Sequence, residues 1–148
     1  MPSPLALRIL RFQSWLLRKD WLGPMGDVVL VITTTGRRSG KPVSTPIGYV
    51  LDGEQWAALS YPASNWYRNL RRTPEALLEI RGKPNQVRAE FVDDEPGRQQ
   101  LVELYRRQRA RNFRMFFNVS LDAPPAELAA AIAARAFVRF HPLGPTTP

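Results

Sequence analysis

The chain has 148 residues, 44% of them hydrophobic, which is enough for one well-filled core and too few for two comfortable domains. Twenty-one Lys and Arg against 13 Asp and Glu give a formal charge of +8, so the favoured partner is anionic: a phosphorylated cofactor, nucleic acid or a membrane surface. The lack of cysteine excludes disulfides, thiolate nucleophiles and Cys-based metal sites, and a single histidine, His141, excludes a multi-histidine metal centre.

Leu5, Ile9, Phe12 and Leu16 recur at helical spacing, so residues 4–19 read as an amphipathic helix inside an N-terminal unit, residues 1–22. Its cations Arg8, Arg11, Arg18 and Lys19 suit either a solvated face on a packed helix or an anionic lipid surface. No apolar run approaches the roughly 20 residues that span a bilayer, and no cleavable leader pattern opens the chain. The expectation is a cytoplasmic protein, with residues 4–19 as its means of peripheral contact at the inner face of the membrane.

Val28 to Ile32 is an unbroken β-branched and aliphatic run, suited to a strand buried on both faces. After the turn GRRSGK, residues 43–51 read as a second strand interrupted by Pro46, which lacks a ladder donor and should face an edge, a bulge or a ligand. Asp52-Gly53 is a hairpin signal into a third strand at residues 55–60. Residues 64–73 look like a short helix that Ser64 can cap and Pro74 stops. Residues 77–80 and the alternating stretch around Val87, Ala89 and Phe91 add strands on either side of a turn at Gly82-Lys83-Pro84. Asp93-Asp94-Glu95-Pro96 starts a helix with Leu101, Leu104, Tyr105 and Gln108 along one side and Arg106, Arg107, Arg109 and Arg111 on the other. Pro124-Pro125 opens an alanine-rich last helix, residues 137–140 close as a sixth strand, and residues 144–148 read as a flexible tail. Consecutive strands joined by hairpins predict a single α+β domain with a mostly antiparallel sheet or barrel of about six strands, not a doubly wound parallel sheet.

Two clusters carry the chemistry. In TTTGRRSGK a strand delivers the chain into a tight glycine turn with backbone N–H groups, hydroxyls and cations, which are the parts of a phosphate grip. The spacing of Gly36 and Gly40 is one residue too short for GxxxxGK[ST], and a strand follows instead of a helix, so neither the Walker loop nor the dinucleotide fingerprint fits. A solvated hairpin turn explains the same residues as well on charge alone. In SNWYRNLRR, helical spacing puts Trp66 and Asn69 on nearly one face among Arg68, Arg71 and Arg72, which serves a phosphate-and-ring ligand or, equally, simple core anchoring by Trp66 and Leu70.

Taken together, TTTGRRSGKPVSTPIGYVLDGEQW and NWYRNLRRTPEALLEI resemble the deazaflavin-dependent nitroreductase family over residues 28–92, in the order of turn, T-P strand, D-G hairpin and W-x-x-N-L helix. The resemblance implies an FMN-binding-like split β-barrel whose core is residues 28–92, binding coenzyme F420 for hydride chemistry on a small-molecule substrate, a planar electrophile such as a quinone or nitroaromatic. It implies that Arg37, Arg38, Ser39 and Lys41 hold the coenzyme's phosphate and acidic tail, with Trp66 and Asn69 closing over that region. Thr45 and Pro46 would line the groove beside the ring, and Ser60 and Tyr61 would pass near its hydride-bearing edge. The chain departs from the family's C-terminal substrate tyrosines, since its last tyrosine is Tyr105 and Arg114, Phe116, Phe117 and Asn118 stand there. Its SYPASNW link is also shorter. Tyr61 and Tyr67 are the nearest proton-donor candidates, and no catalytic residue is assigned.

FMN is the alternative cofactor, with non-catalytic cofactor or lipid binding on the same fold as the nearest rival. RRQRARNFRMFF, residues 106–117, raises nucleic-acid binding, but that run begins in a helix with an apolar opposite side, so no nucleic acid is expected. Either a monomer or a homodimer suits the split barrel.

Overall fold

A computed structural model describes residues 28–143; the helix read at residues 4–19 and the tail at residues 144–148 lie outside them. Seven strands run in chain order as β1 (Val29–Thr35), β2 (Pro42–Gly48), β3 (Val50–Asp52), β4 (Gln55–Ser60), β5 (Glu75–Ile80), β6 (Lys83–Phe91) and β7 (Ala136–Pro142). Helix α1 (Asn65–Arg72) joins β4 to β5, and α2 (Glu95–Gln108), a 3₁₀ turn (Ala110–Asn112), α3 (Phe113–Phe117) and α4 (Pro125–Ala133) fill the span from β6 to β7.

All pairings are antiparallel, and the sheet order is β2-β1-β5-β6-β7-β4-β3. Its two edge strands, β2 and β3, are consecutive in the chain with only Tyr49 between them. The sheet must therefore curl until its edges meet, which is the split-barrel form of an α+β fold. Residues 43–51 thus make two strands instead of one, and the count is seven, not about six. The interruption falls at Tyr49 and not at Pro46, which sits in the edge strand opposite Val31, where a missing donor costs no second ladder.

Gly48, the last residue of β2, is tightly covered. A Cβ on it would stand 2.0 Å from a ring carbon of Phe116, so only glycine lets α3 close against the end of β2. The turn after β5 is set by Arg81 and Gly82, both at positive φ (50° and 78°), one step earlier than the sequence suggests. Pro84 lies inside β6, beyond the residues that pair with β7, so its missing N–H is again harmless.

Two apolar layers hold the sheet. The interior packs Leu30, Ile32, Leu78, Val87, Val138 and Phe140 against Trp66, Tyr67 and Leu70 of α1, which plugs the barrel. The second layer packs Val50, Ala57 and Phe137 of the other face against Leu101, Tyr105, Phe113, Phe117, Leu128 and Ile132 from α2, α3 and α4. The phenyls of the run at residues 106–117 are therefore core: Phe113 and Phe117 stack at 4.5 Å, and Tyr105 meets Phe116 edge-on at 5.0 Å. They offer no stacking platform for bases. Asp94 caps α2 by accepting from the Gly97 N–H at 2.9 Å, as the acidic start requires. Ser64 stands at the N-cap of α1 but makes no side-chain cap bond.

Candidate functional site

Four successive antiparallel steps, β1 to β5 to β6 to β7 to β4, leave β1 and β4 pointing the same way. The turn after β1 and the Tyr61 segment after β4 consequently share one end of the barrel. The start of α1, which follows β4, lies there as well.

The turn is closed by its own backbone: Gly36 N–H donates to the Lys41 carbonyl and Gly40 N–H to the Gly36 carbonyl, both at 2.8 Å. Gly40 has φ of +70°, which favours glycine, and the Ser39 hydroxyl accepts from the Lys41 N–H at 3.1 Å. The hydroxyl proton of Ser39 and the N–H groups of Arg38 and Ser39 remain free of partners among the described residues.

Asn69 ties this turn to α1. Its Oδ1 accepts from the Arg37 backbone N–H at 3.1 Å and from the Arg37 guanidinium at 2.9 Å, and its Nδ2 donates to Thr34 Oγ1 at 3.1 Å. Asn65 accepts a further Arg37 N–H at 3.3 Å. The two sequence clusters are halves of one hydrogen-bonded unit, with Asn69 buried beneath the turn and Arg37 held in place. Arg38, Ser39 and Lys41 stand exposed above it.

The remaining predicted residues divide. Trp66 is buried in the barrel interior, edge-on to Tyr67, so it anchors α1 and does not lie along the turn. Thr45 pairs with Ile32 and Pro46 with Val31, so their side chains point to opposite faces of β2 and only one can line a given groove. Ser60 is buried with its hydroxyl on the Tyr61 carbonyl, whereas Tyr61 is 53% exposed at the mouth. Tyr67, offered above as a proton donor, is buried, and its hydroxyl accepts two bonds from Arg71, at 2.6 and 3.0 Å. That is wall packing.

Sequence reasoning missed Asn65 and Arg135 at this end, and named Arg68 only as one of the cations around Trp66 and Asn69. The Arg37 pKa is lowered, first by desolvation and then by the repulsion of Arg68 and Arg38, which puts Arg68 beside the three cations of the turn. None of Arg37, Arg38, Lys41 and Arg68 has a carboxylate partner among the described residues. A rigid turn with free donors and mutually repelling cations fits a ligand that carries several negative charges. Among the described residues no cluster of carboxylates or histidines could hold a metal ion, and no helix is long and apolar enough to cross a membrane.

A family model described as F420H(2)-dependent quinone reductase matches residues 20–118. Among solved structures, the heme storage protein HutZ of Vibrio cholerae is 14% identical, with a TM-score of 0.57 and 92% of each chain covered. An FAD-binding protein of Mesorhizobium loti is 15% identical, with a TM-score of 0.55 over 88% of this chain and 90% of that one. An F420 reductase is 19% identical, with a TM-score of 0.50 over 80% of this chain and 88% of that one. At such identities the structural likeness establishes the split-barrel fold.

Proposed function

The chain belongs to the F420H(2)-dependent quinone reductase family, and on that premise we propose that it moves a hydride from reduced F420 to a small planar electrophile, with quinones first among them. Family membership makes it an F420-dependent oxidoreductase; the substrate and the residues that serve it are our reading. The observation that carries this reading is the cationic turn pinned by Asn69, at the same end of the barrel as Tyr61.

The coenzyme, when bound, supplies the hydride, so the chain needs chiefly to bind and orient it. Arg38, Lys41 and the free N–H groups of the turn hold the phosphate, and Arg68 on the first turns of α1 takes part of the acidic tail. Arg37 cannot swing freely, because Asn69 and Asn65 hold its guanidinium; it contributes fixed charge. Thr45 shares the inward side of β2 with Ile47 and pairs with Ile32, and Tyr61 follows β4 at the end of the barrel that carries the turn. A nitroaromatic would be served by the same residues as a quinone.

Titrating purified protein with F420 and FMN in parallel, by fluorescence, tests the reading. F420 should bind at one site per chain, and Arg38→Ala should weaken it about tenfold through loss of one charge-assisted contact. Reduction of quinones by the reduced coenzyme should follow. Selective binding of FMN, or F420 binding that Arg38→Ala leaves unchanged, would overturn it.

A further inference from the structure

The outer face of β1 and β5 is buried, yet neither described apolar layer covers it. Two rows of residues cross the sheet on that face. In the first, Pro46, Val31, Glu79 and Pro84 stand side by side on β2, β1, β5 and β6; in the second, Ser44, Thr33, Leu77 and Gln86 do. The inner members are almost closed to water, Val31 and Thr33 at 2%, Leu77 at 3% and Glu79 at 6%, whereas Pro46, Pro84 and Gln86 at the rims are exposed. Strand alternation turns these four away from the barrel interior, which takes Leu30, Ile32 and Leu78 from the same two strands. The helical layer packs elsewhere, on Val50, Ala57 and Phe137 of β3, β4 and β7, and neither layer includes Val31 or Leu77. A bare sheet face leaves its central side chains in water, so these residues lie under a cover, and the burial is achieved within one chain.

The strip itself describes that cover. The Thr33 hydroxyl is engaged by Ser44 Oγ at 2.7 Å, which leaves its methyl to pack. Glu79 Oε2 is buried without a hydrogen-bond partner among the described residues, as expected beneath an apolar surface. The strip is two strands wide and follows β1, whose seven residues span about 23 Å at ~3.3 Å each. One helix of 16 residues, about 24 Å long and about 10 Å across, fits it. Residues 4–19 have that length, and Leu5, Ile9, Phe12 and Leu16 give them a single apolar stripe. Residues 20–28 connect them to β1; the connection reaches about 30 Å when extended and contains Gly23-Pro24, so the helix can fold back over the strand it precedes. The other stretch outside the described residues, GPTTP at 144–148, carries no large apolar side chain.

We propose that residues 4–19 dock as a helix on the outer face of β1 and β5, seating Leu5, Ile9, Phe12 and Leu16 on Val31, Thr33, Leu77 and the stem of Glu79. Helical spacing then puts Arg11 and Arg18 on the side away from the sheet, and Arg8 and Lys19 along the flanks. The stripe is taken up inside the molecule, so contact of this segment with a lipid surface requires the helix to leave the sheet. The inference is independent of the coenzyme reading.

The chain has no cysteine, so introduced thiols report without background. Leu77→Cys and Leu78→Cys place a thiol on the outer and inner faces of one strand, and each is made in the native sequence and together with Ile9→Asp and Phe12→Asp. In the native sequence both thiols should resist alkylation. The two stripe substitutions should speed labelling at position 77 by about tenfold or more and leave position 78 protected. A thiol at position 77 that reacts freely in the native sequence, or that stays protected when the stripe is broken, overturns the inference. Cross-linking decides it however the stripe variant folds. Arg8→Cys and Gln13→Cys, on the two flanks of the helix, are each combined with Pro46→Cys and with Gln86→Cys, on the two rims, and treated with a short bis-maleimide. Each flank should link to one rim and not to the other, within a single chain. Links between chains would assign the cover to a second copy, and absent links, or equal linking to both rims, would take the helix off this face; each of these outcomes overturns the inference.

Discussion

Asn69 and Arg38 belong to the same turn and answer to different measurements. Asn69 is buried and makes three hydrogen bonds to Arg37 and Thr34, so Asn69→Ala should destabilise the protein by about 1–3 kcal/mol and also loosen coenzyme binding. Arg38 is exposed and without a partner among the described residues, so Arg38→Ala should weaken binding with Tm unchanged. Paired melting curves and titrations separate the two, and equal Tm losses would show that the turn is not organised as described. Glu79 gives a residue-scale test of another kind. It is 6% exposed, its Oε2 has no hydrogen-bond partner, and burial raises its pKa above the ordinary 4.5. The folded chain therefore keeps this proton more readily than the unfolded one, so stability falls as pH rises from 4.5 to the raised value and is flat above it. Glu79→Gln should remove that slope, raising Tm at pH 7 and not at pH 4; a variant that melts lower at pH 7 would mean the carboxylate is satisfied.

At the scale of elements, Gly48 and Phe116 make one joint. Gly48→Ala should cost about 1–3 kcal/mol by overpacking against the ring, and Phe116→Leu in the same chain should recover part of it. Denaturant titration of the two single variants and the double closes the cycle, and strictly additive losses would contradict the contact. The same joint marks where the sequence stopped being informative. Strands β1, β4 and β6 are legible because apolar runs, alternation and the Asp52-Gly53 signal are local. The need for glycine at position 48 is not, because it depends on a ring 68 positions further on reaching the backbone. The cationic turn was legible as a cluster of glycines and cations, and the resemblance joined it to Trp66 and Asn69. Their separate duties were not legible: equal spacing on α1 puts both inward, but only the packed structure shows Trp66 in the barrel and Asn69 on the turn. Arg135 was invisible for the same reason. Nothing in AIAARAFV distinguishes an arginine that ends a helix from one buried beneath Tyr61.

Over the whole molecule, the 21 cations behind the formal charge of +8 include two groups in different surroundings. Arg37, Arg38, Lys41 and Arg68 crowd one end of the barrel, where on the proposed reading they attract the polyanionic coenzyme. Arg107, Arg111 and Arg114 are exposed on the helical layer, outside that turn. At physiological salt the screening length is about 8 Å, so cations that do not touch the ligand contribute little to affinity, yet at low salt their field still draws an anion inward. Arg107→Gln combined with Arg111→Gln should therefore leave the Kd for F420 within about twofold at 0.15 M salt, while slowing association measurably at 0.01 M, where the screening length is about 30 Å. Stopped-flow fluorescence at the two ionic strengths measures both. A double variant that loses coenzyme affinity at 0.15 M salt would place the acidic tail along the helical layer and move the grip away from the turn.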